Sequence, residues 1–367
     1  MSDSPFDDFR TRDRLPRDDA RPEAVTKRHA RGSRTARENL ADLVDPDSFV
    51  EYGRLAVAAQ RGRRDLDDLR AKTPGDGVIT GLATINAAEV GASRAATAVI
   101  VNDQTVLAGT QGYFHHRKID RILDVARKQR LPIVMYTEGG GGRPGDVDVQ
   151  IANSGLTVPT FARWAALAGV VPRIAVAHGY GFAGNAALFG SADLGIATRG
   201  SFLGMAGPAM IAGGGLGRFR PDEIGGIEVQ SHNGVVDLVV EDEAEATRRA
   251  KQLLGYFQGP IEATPAADPT ALRDALPADR RFSYKIRPIV ECLSDPGSFL
   301  ELGRDHGGSL VTGLLRIEGR PLGLLANDTR VLGGAIDSAA ARKASRFLRL
   351  LDAFGLPVLS LCDTPGF

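Results

Sequence analysis

Parts of this chain occur twice. Asp45-Pro-Asp-Ser-Phe-Val-Glu-Tyr-Gly53 returns as Asp295-Pro-Gly-Ser-Phe-Leu-Glu-Leu-Gly303. Val101-Asn-Asp-Gln-Thr-Val-Leu-Ala-Gly109 returns as Ala326-Asn-Asp-Thr-Arg-Val-Leu-Gly-Gly334, Arg117-Lys118 as Arg342-Lys343 and Leu131-Pro132 as Leu356-Pro357. The last three pairs share one interval of 225 residues. Two copies of one domain produce such a pattern; chance hardly does.

The first copy reads as strand, strand, helix, strand, loop. A turn at Gly75-Asp-Gly77 feeds a strand to Ile85, and Ala95 to Asn102 is a second strand. Ile119, Ile122, Leu123 and Ala126 mark a helix over 119–130, and Leu131 to Tyr136 is a buried strand. It ends in the glycine run Gly139 to Gly142, with a further helix over 161–168. No Gly-Lys-[Ser/Thr] follows those glycines, so the phosphate loop of NTPases is excluded. The run is either a flexible loop or a place where a ligand approaches the backbone.

Next comes Arg173-Ile-Ala-Val-Ala-His-Gly-Tyr-Gly-Phe-Ala-Gly-Asn-Ala-Ala-Leu-Phe-Gly-Ser-Ala-Asp193: an apolar strand, a glycine-rich turn and a helix start at Ala183-Gly184-Asn185. The first N–H groups of a helix lack intrahelical partners and carry positive potential, so they suit a phosphate or a reacting carbonyl's oxyanion. Gly179-x-Gly181-x-x-Gly184 also spells the dinucleotide fingerprint. The following helix is short, and Arg199 stands near where an acidic residue should meet a ribose. NADP, or a purely structural turn, stays open on these residues alone.

Beyond this stretch, Gly213 to Gly215 suggest a mobile lid, Val235 to Val240 a strand, and 241–256 a helix with acids at its positive end. His178 follows an apolar strand and reads as a packed, hydrogen-bonded histidine; His232 reads as structural or exposed. The adjacent His115 and His116 point different ways, which disfavours a metal site. Cys362 reads as a buried small residue. A helical pattern over 24–43 is rich in arginine, which suits an acidic partner or, more plainly, a solvated face.

The 45 basic and 45 acidic residues cancel, so no global field draws nucleic acid or membrane. Two cysteines fit a reducing compartment, no run spans a bilayer, and the start lacks a signal peptide, so a cytoplasmic location is expected.

Several stretches together resemble the carboxyltransferase component of biotin-dependent acyl-CoA carboxylases. They are Lys27-Arg-His-Ala-Arg-Gly-Ser-Arg-Thr-Ala-Arg-Glu38 with Asp45 to Phe49, Gly75 to Gly81, Ala183-Gly-Asn-Ala186 and Leu361-Cys-Asp-Thr-Pro-Gly-Phe367. The resemblance implies an α/β, crotonase-like ββα superhelix, duplicated, with the second copy incomplete. The domains expected are a charged extension over 1–40, an N-terminal carboxyltransferase domain facing CoA over 41–258, a linker over 259–280 and a partial C-terminal domain over 281–367. At the 225-residue interval, a second copy of Gly184 would fall past Phe367. This chain alone is therefore expected to be inactive, a truncated form.

The chemistry implied moves a carboxyl group from carboxybiotin, held on a carrier protein or domain, to the α-carbon of an acyl-CoA through an enolate. No metal is expected. The resemblance puts the Gly184 and Asn185 amides on the thioester oxygen, with Gly139, Gly140, Gly141, Gly142, Ala183 and Gly207 forming the acyl-CoA side. The family's Ala-Gly-Gly-Ala is here Ala-Gly-Asn-Ala, so the Asn185 side chain can narrow the pocket. Its Ser-Gly-Gly-Ala-Arg loop is here Glu138-Gly-Gly-Gly-Gly142. Expected partners are acyl-CoA, biotin carboxylase and biotin carboxyl carrier components and further copies in a homo-oligomer, with no nucleic acid or membrane. The alternatives are a crotonase-like hydratase, isomerase or thioesterase, and a non-catalytic CoA-binding assembly subunit.

Overall fold

The computed structural model describes residues 4–143, 145–149, 158–263, 268–279 and 281–367. Part of the expected linker, 264–267 and 280, lies outside the described residues. The chain forms two compact units. The first comprises 1–85, 96–227 and 240–250, and the second 86–95, 228–239 and 251–367.

In the first unit, β1 (Val50–Tyr52), β2 (Val78–Thr84) and β3 (Ala96–Asn102) pair antiparallel in sequence. From β3 onward β4 (Ile133–Gly139), β5 (Arg173–Phe182) and β6 (Leu194–Thr198) run parallel, and β7 (Phe202–Gly204) lies beside the end of β5. Parallel strands covered on both faces need continuous apolar runs. Val99 to Val101, Ile133 to Tyr136 and Ile174 to Ala177 supply them, every one fully buried. A further strand, β8 (Leu238–Val240), lies at the division between the units.

The helix Tyr113–Gln129 crosses from β3 to β4. Its apolar stripe of Ile119, Ile122, Leu123 and Ala126 is buried, as the spacing requires. It begins six residues before the 119 inferred from sequence. Its first turns bury polar groups instead: the His115 N–H donates to Asp76 Oδ2 at 2.7 Å, and Lys118 Nζ donates to the carbonyls of Gly75 (2.8 Å) and Val78. Burial lowers the Lys118 pKa to about 8.

The second unit repeats this plan. β9 (Leu300–Leu302), β10 (Leu310–Ile317) and β11 (Arg320–Asn327) are antiparallel neighbours, and β12 (Val358–Leu361) joins β11 in parallel. Register shows the duplication directly. Ala98 pairs with Ile133 and Gly323 with Val358, each partner 225 residues from its counterpart, and the next three pairs keep that interval. The helix Ser338–Phe354 matches Tyr113–Gln129 at the same spacing. Lys343 repeats the role of Lys118, donating to the carbonyls of Gly303 (2.9 Å) and His306 (2.8 Å), and burial lowers its pKa to about 8 as well. Arg37 grips Glu51 with two bonds (2.6 and 3.0 Å), and Arg287 grips Glu301 likewise (2.8 and 2.5 Å).

Cys362 is exposed rather than buried, since it follows β12 at the margin of the four-stranded sheet. The arginine-rich stretch is two helices, Pro22–His29 and Ala36–Leu43, interrupted at Gly32 with φ 71°. Among the described residues no helix is long and apolar enough to cross a membrane.

One glycine in each copy marks where β1 or β9 presses on its neighbour. A Cβ on Gly81 would strike the Val50 carbonyl and the Phe49 ring, and one on Gly313 would meet the Leu300 oxygen and the Phe299 ring, both at 2.6 Å. Overpacking of this kind costs about 1–3 kcal/mol. Gly81→Ala and Gly313→Ala are each expected to lower the urea midpoint by a corresponding amount. An unchanged midpoint in both would show that these contacts relax freely.

Candidate active site

β5 ends in a turn that an alanine makes at a cost. Ala183 has φ 50° and ψ −114°, outside the regions L-residues prefer. Its N–H donates to the Gly204 carbonyl (2.9 Å), which ties the turn to β7. The short helix Gly184–Gly190 follows, and its ladder begins with the Ala187 N–H donating to Ala183 O at 2.8 Å. Between these two bonds, the N–H groups of Gly184, Asn185 and Ala186 meet no acceptor among the described residues, and those of Gly184 and Asn185 come first. Two donors on consecutive residues, at the positive end of a helix, can stabilise oxygen that gains negative charge.

The glycine run lies against this turn. A Cβ on Gly141 would come within 2.7 Å of the Ala183 Cβ, and the Asn185 Nδ2 donates to the Gly140 carbonyl at 2.9 Å. Gly139 has φ 126° and packs on the backbone of Gly109, while a Cβ on Gly140 would approach Thr110 Cγ2 at 2.9 Å. Gly142 has open space where a side chain would go. Gly207 packs over Phe182, the residue before Ala183, with the ring 3.6 Å from where its Cβ would stand. Gly139 to Gly142, Ala183 to Asn185 and Gly207 all belong to the first unit.

The Asn185 side chain does not narrow the cleft, because it is fully buried and bonded inward. The dinucleotide reading is corrected too. Gly179 and Gly181 lie inside β5 rather than in the turn. The space beside Gly179 (φ 152°) holds the Glu138 carboxylate, an anion where a pyrophosphate would have to sit. The supposed lid contains a helix, Pro208–Gly213, and exposes Met205, Met210 and Leu216.

Behind the turn lies a charge network that sequence reasoning missed. Arg28, 6% exposed, donates to both Glu138 oxygens at 2.7 and 2.6 Å. His178 is buried, as its position suggested, with Nδ1 at 2.8 Å from Glu243 Oε1. The Arg34 N–H donates to Glu243 Oε2 at 2.7 Å, and Arg28 Nε to the Arg34 carbonyl at 2.8 Å. Arg28 is therefore no solvated residue. Its one sequence signal is that Lys27 to Glu38 belongs to the resembling stretch. Two further histidines bond locally: His116 Nδ1 lies 3.0 Å from Thr160 Oγ1, and His232, exposed, meets the Glu228 carbonyl at 2.7 Å. Burial lowers the His116 pKa to about 4.

Burial pushes the Glu243 pKa up, but the His178 bond and charge, the Arg34 N–H and the Arg28 charge outweigh it, leaving the carboxyl below its usual 4.5. A carboxylate with a depressed folded pKa stabilises the fold above the unfolded value and loses that contribution as pH falls through the folded one. Glu243→Gln is expected to cost about 3 kcal/mol at pH 7, with the gap to wild type closing below pH 4.5 in urea unfolding. A gap independent of pH would show that charge at Glu243 does not matter.

Comparisons with known proteins agree with one another. The carboxyl transferase domain family matches residues 27–367. The long-chain acyl-CoA carboxylase beta4 subunit of Mycobacterium tuberculosis, biotin-dependent, is 32% identical over 98% of this chain and 68% of its own. The methylmalonyl-CoA carboxyltransferase 12S subunit of Propionibacterium freudenreichii is 32% identical over 94% of this chain and 65% of its own. Among solved structures, a single-chain, multi-domain long-chain acyl-CoA carboxylase superposes with TM-score 0.96 at 53% identity. That match covers 100% of this chain and 36% of the other. The transcarboxylase 12S hexamer gives TM-score 0.81 at 30% identity, covering 94% and 68%. This chain thus spans about two thirds of these curated relatives, and it belongs to the carboxyl transferase family, with that family's duplicated, crotonase-like α/β fold.

Proposed function

We propose that this chain is the carboxyltransferase part of a biotin-dependent acyl-CoA carboxylase. The observation that carries the reading is the turn at Ala183 to Asn185, where two adjacent amides have no acceptor among the described residues. On this reading residues 41–258 form the CoA-side domain, 259–280 a linker and 281–367 part of a second domain, with 1–40 as an extension. A relative named as a biotin-dependent acyl-CoA carboxylase subunit, one named as a methylmalonyl-CoA carboxyltransferase and a hexameric neighbour support acyl-CoA as substrate and an oligomeric assembly, and the reading adds biotin carboxylase and carrier components as partners.

The residues then act as follows. The glycine run, with small residues at Ala183 and Gly207, lets the thioester end of an acyl-CoA come close to the backbone. The N–H groups of Gly184 and Asn185 point to the thioester oxygen and hold it as the α-proton leaves and charge moves onto oxygen. Carboxybiotin, brought by its carrier, would release CO2 as its N–C bond breaks, leaving a ureido nitrogen to take that proton and CO2 for the enolate carbon to attack. A pair of amides fits this chemistry, since each partner offers only a carbonyl-type oxygen and neither needs a side-chain nucleophile. A hydratase or isomerase would instead need an acid or base at the hole. Glu138, close in sequence to the glycine run, is already engaged by Arg28, and His178 is held by Glu243 through Nδ1, its buried Nε2 meeting no partner among the described residues.

The test compares a neutral acyl-CoA with a CoA-linked nitronate, whose anionic oxygen imitates the enolate. Calorimetry is expected to show the nitronate binding about a hundredfold or more tighter. In the assembled carboxylase, carboxyl transfer from a carboxylated carrier is expected to give the α-carboxylated thioester. Equal affinities together with hydration of an enoyl-CoA would favour the hydratase reading.

A further inference from the structure

We propose that the Asn185 side chain is a positioning element, a buried junction that fixes the two turn amides relative to the glycine run. The inference rests on the reading of those amides as the thioester site. Asn185 is 0% exposed. Its Oδ1 accepts from Asn102 Nδ2 (2.6 Å) and Gln111 Nε2 (3.1 Å), and its Nδ2 donates to the carbonyls of Gly140 (2.9 Å) and Gly109 (3.3 Å). A carboxamide has two acceptor lone pairs and two N–H donors. All four are used, so turning the amide over would set oxygen against carbonyls and nitrogen against donors.

The partners come from separate pieces of chain. Asn102 ends β3, Gly109 and Gln111 precede the long helix, and Gly140 belongs to the glycine run. Gln111 also fixes the neighbouring amide-bearing residue, because its Oε1 occupies the space beside Gly184 where a side chain would begin. Both donors of the turn are therefore referenced to one group.

In the second copy the counterpart of Asn102 is paired differently. Asn327, the counterpart of Asn102, donates to the Gly334 carbonyl at 2.9 Å and accepts from the Asp363 N–H at 3.2 Å. In the first copy Asn102 donates to Asn185 instead, and Asn185 has taken over the carbonyl of Gly109, the counterpart of Gly334. A glycine at 185 would keep its backbone amide, and a water could satisfy the four vacated partners. Water would not tie them to the helix start.

The experiment uses the assembled carboxylase, well below each variant's melting midpoint. Asn185→Gly is expected to lower kcat for carboxyl transfer about tenfold or more, with KM for acyl-CoA changing less than about twofold. Gln111→Ala is expected to lower kcat in the wild-type background and to add little to Asn185→Gly, whereas a merely structural loss would show in melting and leave kcat alone. Amide exchange over 109–111 and 139–142 is expected to quicken in Asn185→Gly. Wild type that transfers while Asn185→Gly matches its kcat overturns the positioning role alone. Wild type that transfers nothing overturns the functional reading first, and this role with it.

Discussion

A carboxylate taken out of water must find a cation and hydrogen bonds or lose its charge. Glu138, at the end of β4 and 5% exposed, meets that demand with Arg28, drawn in from the N-terminal segment. The pair does more than neutralise itself. Arg28 also holds the Arg34 carbonyl, the Arg34 N–H holds Glu243, and Glu243 holds His178 on β5. Segments remote in sequence are thereby fixed around two adjacent parallel strands. The chain directly after Glu138 is the glycine run, and the chain shortly after His178 is the strained turn at Ala183. Precision at the turn thus depends on charges buried behind it.

The neighbouring layer repeats the logic without charge. Asn102, Gln111 and Asn185 form a cluster of amides whose bonds are short-ranged and directional. Such groups suit a site that must present two N–H vectors without adding a field of its own. The ionic network sets where strands end; the amide cluster sets how the turn faces.

What sequence could show follows from the kinds of force involved. Apolar runs revealed the buried strands on either side of the long helix, because burial in parallel strands leaves an unbroken apolar run, while the ββα plan came with the family resemblance. Repetition at a fixed interval revealed the duplication, and it reappears in the registers of β3 with β4 and β11 with β12. Polar burial leaves no such trace. His115 and Lys118 look like surface residues, so the helix seemed to start at Ile119. Arg28 looked like one arginine among many, and Asn185 like a substituent intruding on a cleft. Gly179 and Gly181 suggested a turn because glycine tolerates one, whereas here the Gly179 vacancy accommodates a carboxylate across the sheet. Position in sequence located the candidate site; the partners that support it became visible only in three dimensions.

The corner beside the turn leaves one polar atom unsatisfied. Asn102 Oδ1 is buried without a hydrogen-bond partner among the described residues, while both ends of its counterpart Asn327 are paired. An orphaned acceptor lowers the cost of opening its surroundings, since water can serve it only when the structure parts. Opening the corner around Asn102 therefore exposes an acceptor that gains a partner in water.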